Sequence, residues 1–140
     1  MAVMVQGIEE LIKDLESAAE IPDSVVEEML RAEAEIYVEA QKAKWNSLGL
    51  KHPTGELESS ITVEGVMQKS RGSRFVHVYP LGDRPNGIRN AEVGFIHEFG
   101  APSRNIPAKN WMKQANEAVS EKAYEAVSKI YDDFLKSKNL

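Results

Sequence analysis

The sequence predicts an α+β fold: two N-terminal helices, a small antiparallel β-sheet (a hairpin), and a long C-terminal helix packed on one face. Three observations carry this. Stretches near both ends of the chain repeat apolar residues at helical spacing. The stretch from Ile61 to Pro80 alternates apolar and polar residues and holds a β-branched, aromatic run. Glycine, proline and asparagine cluster at the junctions.

The first helix is placed over Val5 to Ala19, where Ile8, Leu11, Ile12 and Leu15 form one apolar stripe. Glu20-Ile21-Pro22 ends it, because proline disfavours helical geometry in the residue before it. A second helix starts near Pro22 or Asp23, with Asp23, Glu27 and Glu28 suiting the positive end of the helix dipole. Val26, Met29, Leu30, Ile36, Tyr37 and Ala40 carry it to about Asn46, and Gly49 marks the stop. Its length makes it a spine for the other elements.

His52-Pro53-Thr54-Gly55 is turn chemistry. Ile61 and Val63, with Met67 extending the pattern, read as a half-buried strand. Lys69 to Ser73 is a polar connection, and Arg74 to Pro80 is the clearest strand, its Phe75, His77 and Tyr79 alternating on one face. The two strands are expected to pair as a hairpin. Leu81 to Asn90 is expected as an exposed, mobile loop. Ala91 to Phe99 reads as a short helix closed by Gly100 in the left-handed conformation, with a short strand as the alternative. A final helix should begin near Pro107, striped by Trp111, Met112, Ala115, Val119, Ala123, Ala126, Val127, Ile130 and Phe134. Lys136 and Lys138 suit its C-terminus.

At 140 residues, one domain over 1–140 is the natural division. There is no cysteine, so disulfides, thiolate metal sites and cysteine nucleophiles drop out. No apolar run approaches the roughly 20 residues of a membrane helix, and the acidic N-terminal stretch does not read as a secretory signal. The net charge of −5 is unevenly spread. Residues 1–40 carry eleven acids against Lys13 and Arg31, whereas 68–90 carry Lys69, Arg71, Arg74, Arg84 and Arg89 against Asp83. Such runs are commonly solvated faces; the sharper reading makes the five bases a candidate interface for the acidic helices of a neighbouring subunit. An acidic chain is a poor general DNA binder.

The chemical constellations are thin. His97-Glu98 is half of a zinc-protease motif, but Ala101 stands where the second histidine belongs. The bland reading puts His97 and Glu98 in structural hydrogen bonds at a helix end. His52 and His77 lack a ligand partner at suitable spacing. Phosphate loops and a nucleophile elbow around Ser59 or Ser60 are missing, and Asp132-Asp133 reads as solvated charge. No catalytic, cofactor or metal residue is assigned, and no cofactor is expected.

The specific string is FIHEFGAPSRNIPAKNWM. Phe95, Glu98, Phe99, Gly100, Ile106, Pro107, Ala108, Trp111 and Met112 resemble the shared motif of a phage tail-component family, the gene-product-ten family of phage HK-ninety-seven. Gly55, Leu57, Ser60 and Ile61 resemble a second shared string opening the first strand. The chain departs from the family's usual pattern at Trp111, where a phenylalanine is frequent, and at Lys109, where an arginine is common. The resemblance implies a non-enzymatic virion protein that completes the tail or joins head to tail. It implies location in the tail or neck after synthesis in the host cytoplasm, a homo-oligomeric ring, commonly sixfold, and contacts with other head–tail junction or tail proteins. No membrane and no specific nucleic acid is implied as partner. The alternative is a small nucleic-acid-binding or regulatory domain.

Within the motif, Phe99-Gly100 is expected to turn the chain sharply while burying the aromatic ring. Glu98 is expected to cap backbone donors in that turn, and the prolines to stiffen the path into the last helix. A further expectation is an acidic lumen wall, from Glu9, Glu10, Asp14 and Glu16, past which DNA slides.

Overall fold

A computed structural model describes residues 8–13, 16, 20–50 and 55–139. It is α+β, with a long C-terminal helix and two short antiparallel strand pairs. Residues 8–13 are helical (α1), as is residue 16. The rest of the helix expected over Val5 to Ala19, including Leu15, lies outside the described residues. So does the turn expected at His52 to Thr54.

Helix α2, Asp23–Ser47, starts and stops where the sequence places it. Pro22 is its extended N-cap residue, and Gly49, at φ +62°, takes the backbone out of the helix. Val26, Ala34, Val38 and Gln41 form its buried line. Helix α5, Trp111–Ser137, runs antiparallel along α2: Gln41 Nε2 donates to Asn116 Oδ1 (3.0 Å) at one end, and Val25 lies near Phe134 at the other. The long helix therefore packs chiefly on α2 rather than on the sheet; α2, with the shorter helices that follow it, meets the strands.

The string Gly55 to Ile61 folds as a five-residue helix, α3 (Glu56–Ser60), and only then enters β1 (Ile61–Val63). The expected strand opening is thus one helical turn late. Ser59 Oγ donates to the Gly55 carbonyl and Ser60 Oγ to the Leu57 carbonyl, closing that turn. The turn points Leu57 and Ile61 to the same interior.

The hairpin is present but broken in two. β1 pairs with β4 (Val78–Pro80), Ile61 opposite Pro80; β2 (Gln68–Ser70) pairs with β3 (Ser73–Phe75), Gln68 opposite Phe75. Glu64 N–H still bonds to the His77 carbonyl, so 65–67 face residue 76 alone. Two extra residues bulge from one side, which removes Met67 from the first strand. Of the connection expected from Lys69 to Ser73, Lys69 and Ser70 are strand (β2) and Ser73 opens β3, which leaves only the Arg71-Gly72 turn at the hairpin tip.

That tip is strapped to the start of α2. Asp23 takes both Lys69 and Arg74, the latter at 3.1 Å, and Arg74 also donates to the Ile21 carbonyl (2.9 Å). The two cations hold the Asp23 carboxyl below its usual range. The 81–90 segment is largely exposed, and it is closed on itself: Arg84 N–H bonds to Ile88 O, and Asn90 N–H to Gly82 O. Asn90 is buried and ties the loop's start to α4 (Asn90–Phe99) by donating to Leu81 O (3.1 Å). The helix reading of this segment holds, and the strand alternative does not.

The core gathers Val38 of α2, Leu57 of α3, Ile61 of β1 and Trp111 of α5, with Trp45, Val78, Val93 and Met112 around them. Among the described residues no helix is long and apolar enough to cross a membrane.

Candidate functional site

The segment from Phe95 to Met112 runs from the end of α4 through the connection at 100–110 into α5, and its residues divide into those that hold the connecting turn and those that face outward. Glu98 belongs to the first group. It is buried, and its carboxylate accepts from Met112 N–H (2.5 Å) and Lys113 N–H (3.1 Å). Those are orphan donors of the first turn of α5, where a negative charge also meets the positive end of the helix dipole. The cap expected of Glu98 is therefore real, but it serves the following helix rather than its own turn. Helix α5 has no side-chain cap from its own N-cap residue, Asn110, so Glu98 supplies what the local sequence does not.

Gly100 carries the chain over the strap at 106–108. Its φ of 80° and ψ of 168° lie in a region open only to glycine, outside the left-handed helical cap expected from the sequence. A Cβ there would stand 2.8 Å from Ala108 N and 3.1 Å from Ile106 O. The strap is pinned by backbone bonds: Ala101 N–H to Ile106 O (2.8 Å), Ile106 N–H to Ala101 O (3.1 Å), Lys109 N–H to His97 O (2.8 Å) and Asn110 N–H to Glu98 O (3.1 Å). Between them Pro102–Arg104 makes one 3-10 turn, and Asn105 turns back at φ 55°. These bonds keep Ile106 to Lys109 out of the helix and Asn110 turns left-handed (φ 49°), so α5 begins at Trp111 and not near Pro107.

Trp111 anchors the far side. Its ring is fully buried, its Nε1–H donates to the Gly94 carbonyl (2.9 Å), and it meets Trp45 edge-on at 5.0 Å. Gly94 makes room: a Cβ would lie 3.3 Å from the Trp111 ring, 3.1 Å from Pro80 and 3.7 Å from Leu57. The two motif strings read from sequence thus converge here, Leu57 and Ile61 from one and Trp111 from the other. Sequence reading missed Gly94; a glycine inside an otherwise helical run was the available signal.

His97 does not make the side-chain hydrogen bond expected of it. Its Nδ1 is buried without a partner among the described residues, and its ring packs edge-on against Trp45 at 5.4 Å. Burial first, then the positive charges of Lys109 and Arg84, hold its pKa below the ordinary value. Among the described residues no three His, Asp or Glu side chains gather to hold a metal ion.

Phe95 and Phe99 form the outward group. The expected burial of Phe99 is wrong: it is 73% exposed, and Phe95 40%. They sit one helical turn apart, ring centroids 6.1 Å apart, beside an open cavity of about 450 Å³ lined also by Arg89, Glu92, Ile96 and Gly100. The reason is the helix's rotation. Gly94 and Glu98 take the inner face of α4 for the Trp111 ring and the α5 cap, so residues 95 and 99 turn outward.

The five basic residues separate as well. Lys69 and Arg74 are engaged within the chain by Asp23. Arg71 stands at the exposed hairpin tip, while Arg84 and Arg89 flank the start of α4. No described residue forms an ion pair with Arg71, Arg84 or Arg89. Part of the charge complementarity expected between subunits is therefore satisfied internally.

No family model, curated protein or solved structure matches the chain.

Proposed function

We propose that this chain is a structural subunit of a tailed phage or prophage virion, completing the tail or joining it to the head through protein–protein contacts, with no chemistry of its own. One observation carries the reading: Phe95 and Phe99 are exposed beside a turn that Glu98, Gly100, Ile106 and Trp111 hold in place. A rigid turn presenting two exposed aromatic rings beside a cavity has the form of a contact surface. The likeness of Phe95 to Met112, and of Gly55 to Ile61, to the tail-component strings supplies the biological setting.

In this reading the protein is made in the host cytoplasm and ends in the neck or tail. It assembles as a homo-oligomeric ring beside other junction proteins. A ring requires two different surfaces that meet head to tail. Mass spectrometry of purified particles, together with deletion of the coding sequence, tests this. The chain should be found in the particles, and its deletion should leave unjoined heads and tails. Normal joined particles after deletion would overturn the proposal.

A second reading has one observation behind it. Phe75, His77 and Tyr79 line one face of the hairpin, with successive ring centroids 5.2 and 6.4 Å apart, as in a platform for unpaired bases. Retardation of a single-stranded oligonucleotide in moderate salt, lost on Phe75→Ala and Tyr79→Ala, would favour it.

A further inference from the structure

The chain exposes a second apolar face besides the Phe95–Phe99 pair. In α1, Ile8, Leu11 and Ile12 are 55%, 56% and 48% exposed. They follow the i, i+3, i+4 spacing by which a helix lays one stripe on a neighbour. Nothing in the described fold covers that stripe. Phe95 and Phe99, also one turn apart on a helix, are uncovered too.

The charges around the two faces are opposite. Among the described residues, 8–13 and 16 carry Glu9, Glu10 and Glu16 against Lys13. From Arg84 to Lys109, Arg84, Arg89, Arg104 and Lys109 stand against Glu92, because Glu98 is turned inward onto α5. Arg89 and Glu92 line the cavity itself. No described residue forms an ion pair with Arg84, Arg89, Arg104 or Lys109.

We infer that the cavity beside Phe95 and Phe99 is filled by the α1 stripe of a second copy of this chain. The inference rests on the contact reading above and names the partner surface. Ile8, Leu11 and Ile12 lie against the two phenylalanine rings, and the glutamates beside them meet Arg89 and Arg104. Apolar burial supplies the affinity, and the charges set which way the helix lies. Each copy then gives one surface and receives at the other, the head-to-tail arrangement from which a ring closes. Copies joined one after another in this way form a ring, whereas a reciprocal exchange between two copies would stop at a dimer.

The absence of native cysteine makes the test direct. Two single variants, Leu11→Cys and Phe99→Cys, are mixed and treated with a short bismaleimide; Ile12→Cys with Phe95→Cys is the second pairing. Both sites are exposed, so the folds should survive, and circular dichroism checks this. The expected product is a covalent heterodimer from the mixture, well above the homodimer yield of either variant alone. A double variant, Leu11→Cys with Phe99→Cys, should give a ladder of multimers. In the native chain, Phe99→Ala should weaken self-association by about 30-fold or more, as for a buried aromatic anchor. Glu10→Lys should weaken it, and combination with Arg89→Glu should restore it.

A double variant that closes on itself as a monomer would overturn the inference, since α1 would then cover its own α4. So would the absence of any crosslink at every concentration and salt tested. Either failure leaves the virion proposal intact, because particle content and the deletion phenotype decide that separately. Loss of the virion role with the crosslink retained would instead leave a self-assembling chain of another function.

Discussion

Removing the charge from Glu98 without changing its shape should loosen the start of α5. In Glu98→Gln one side-chain oxygen can still accept a hydrogen bond, but the amide nitrogen now confronts a second donor. One of the two bonds, to Met112 N–H at 2.5 Å or Lys113 N–H at 3.1 Å, is lost. A hydrogen bond to a charged group contributes about 1.5–3 kcal/mol, and a buried donor left alone adds to the cost. A carboxylate at a partly buried helix terminus contributes up to about 2 kcal/mol. These terms overlap, so the expected loss is about 3 kcal/mol, or roughly a hundredfold in the folded-to-unfolded ratio. For a domain of this size, with total stability on the order of 7–21 kcal/mol, that is a large share. Urea unfolding followed by circular dichroism should show the midpoint lowered by about 1–2 M at unchanged slope. Amide exchange should accelerate first at Met112 and Lys113. A midpoint within error of the parent, with both amides as protected as before, would refute the capping argument.

Three other outcomes follow from the same geometry. Gly100→Ala should cost about 3 kcal/mol or more, from a backbone region closed to alanine and a Cβ 2.8 Å from Ala108 N, measured by the same unfolding experiment. For His97 the folded ring resists protonation, so the unfolded chain binds the proton first as pH falls through the ordinary value of 6.5. Stability should decline on the acid side of that value, and His97→Gln should flatten the decline; an unchanged slope between about pH 7.5 and 5.5 refutes the burial account. The Asp23 carboxyl is held low by Lys69 and Arg74, so its contribution is present above the ordinary carboxylate range and fades as pH falls through the depressed value. Asp23→Asn should speed amide exchange across residues 68–75, with a difference that shrinks at high salt because the site is exposed.

Much of the fold was legible because local signals agreed with it. Pro22, Gly49 and the spacing of Val26 to Ala40 bounded α2 almost to the residue. The stripe from Trp111 to Phe134 described the inner face of α5. What escaped the sequence was set by contacts across the chain. Nothing local says that 65–67 bulge, since the bulge reflects register against residue 76. Nothing local says that α5 starts at Trp111, since the delay depends on bonds from Lys109 and Asn110 back to α4. Val38 and Gln41 are buried because α5 covers them, and periodicity pointed to their neighbours.

The candidate site shows the same division. Glu98 was legible as a cap because an acid beside a turn has few other uses, yet its target lay fourteen residues away. Phe99 was misread because a phenylalanine next to a glycine turn is ordinarily interior. Its exposure follows from the rotation of α4, fixed by Gly94 under Trp111. Of the five basic residues, Lys69 and Arg74 were indistinguishable by sequence from the others; only the hairpin's approach to Asp23 separates them.

The most direct test places a folded chain carrying Phe95→Ser and Phe99→Ser as the sole copy in a producing host, and counts joined particles by electron microscopy. If the outward rings are the working surface, heads and tails accumulate separately although the variant is soluble and folded. A full yield of joined particles from that variant would contradict the account.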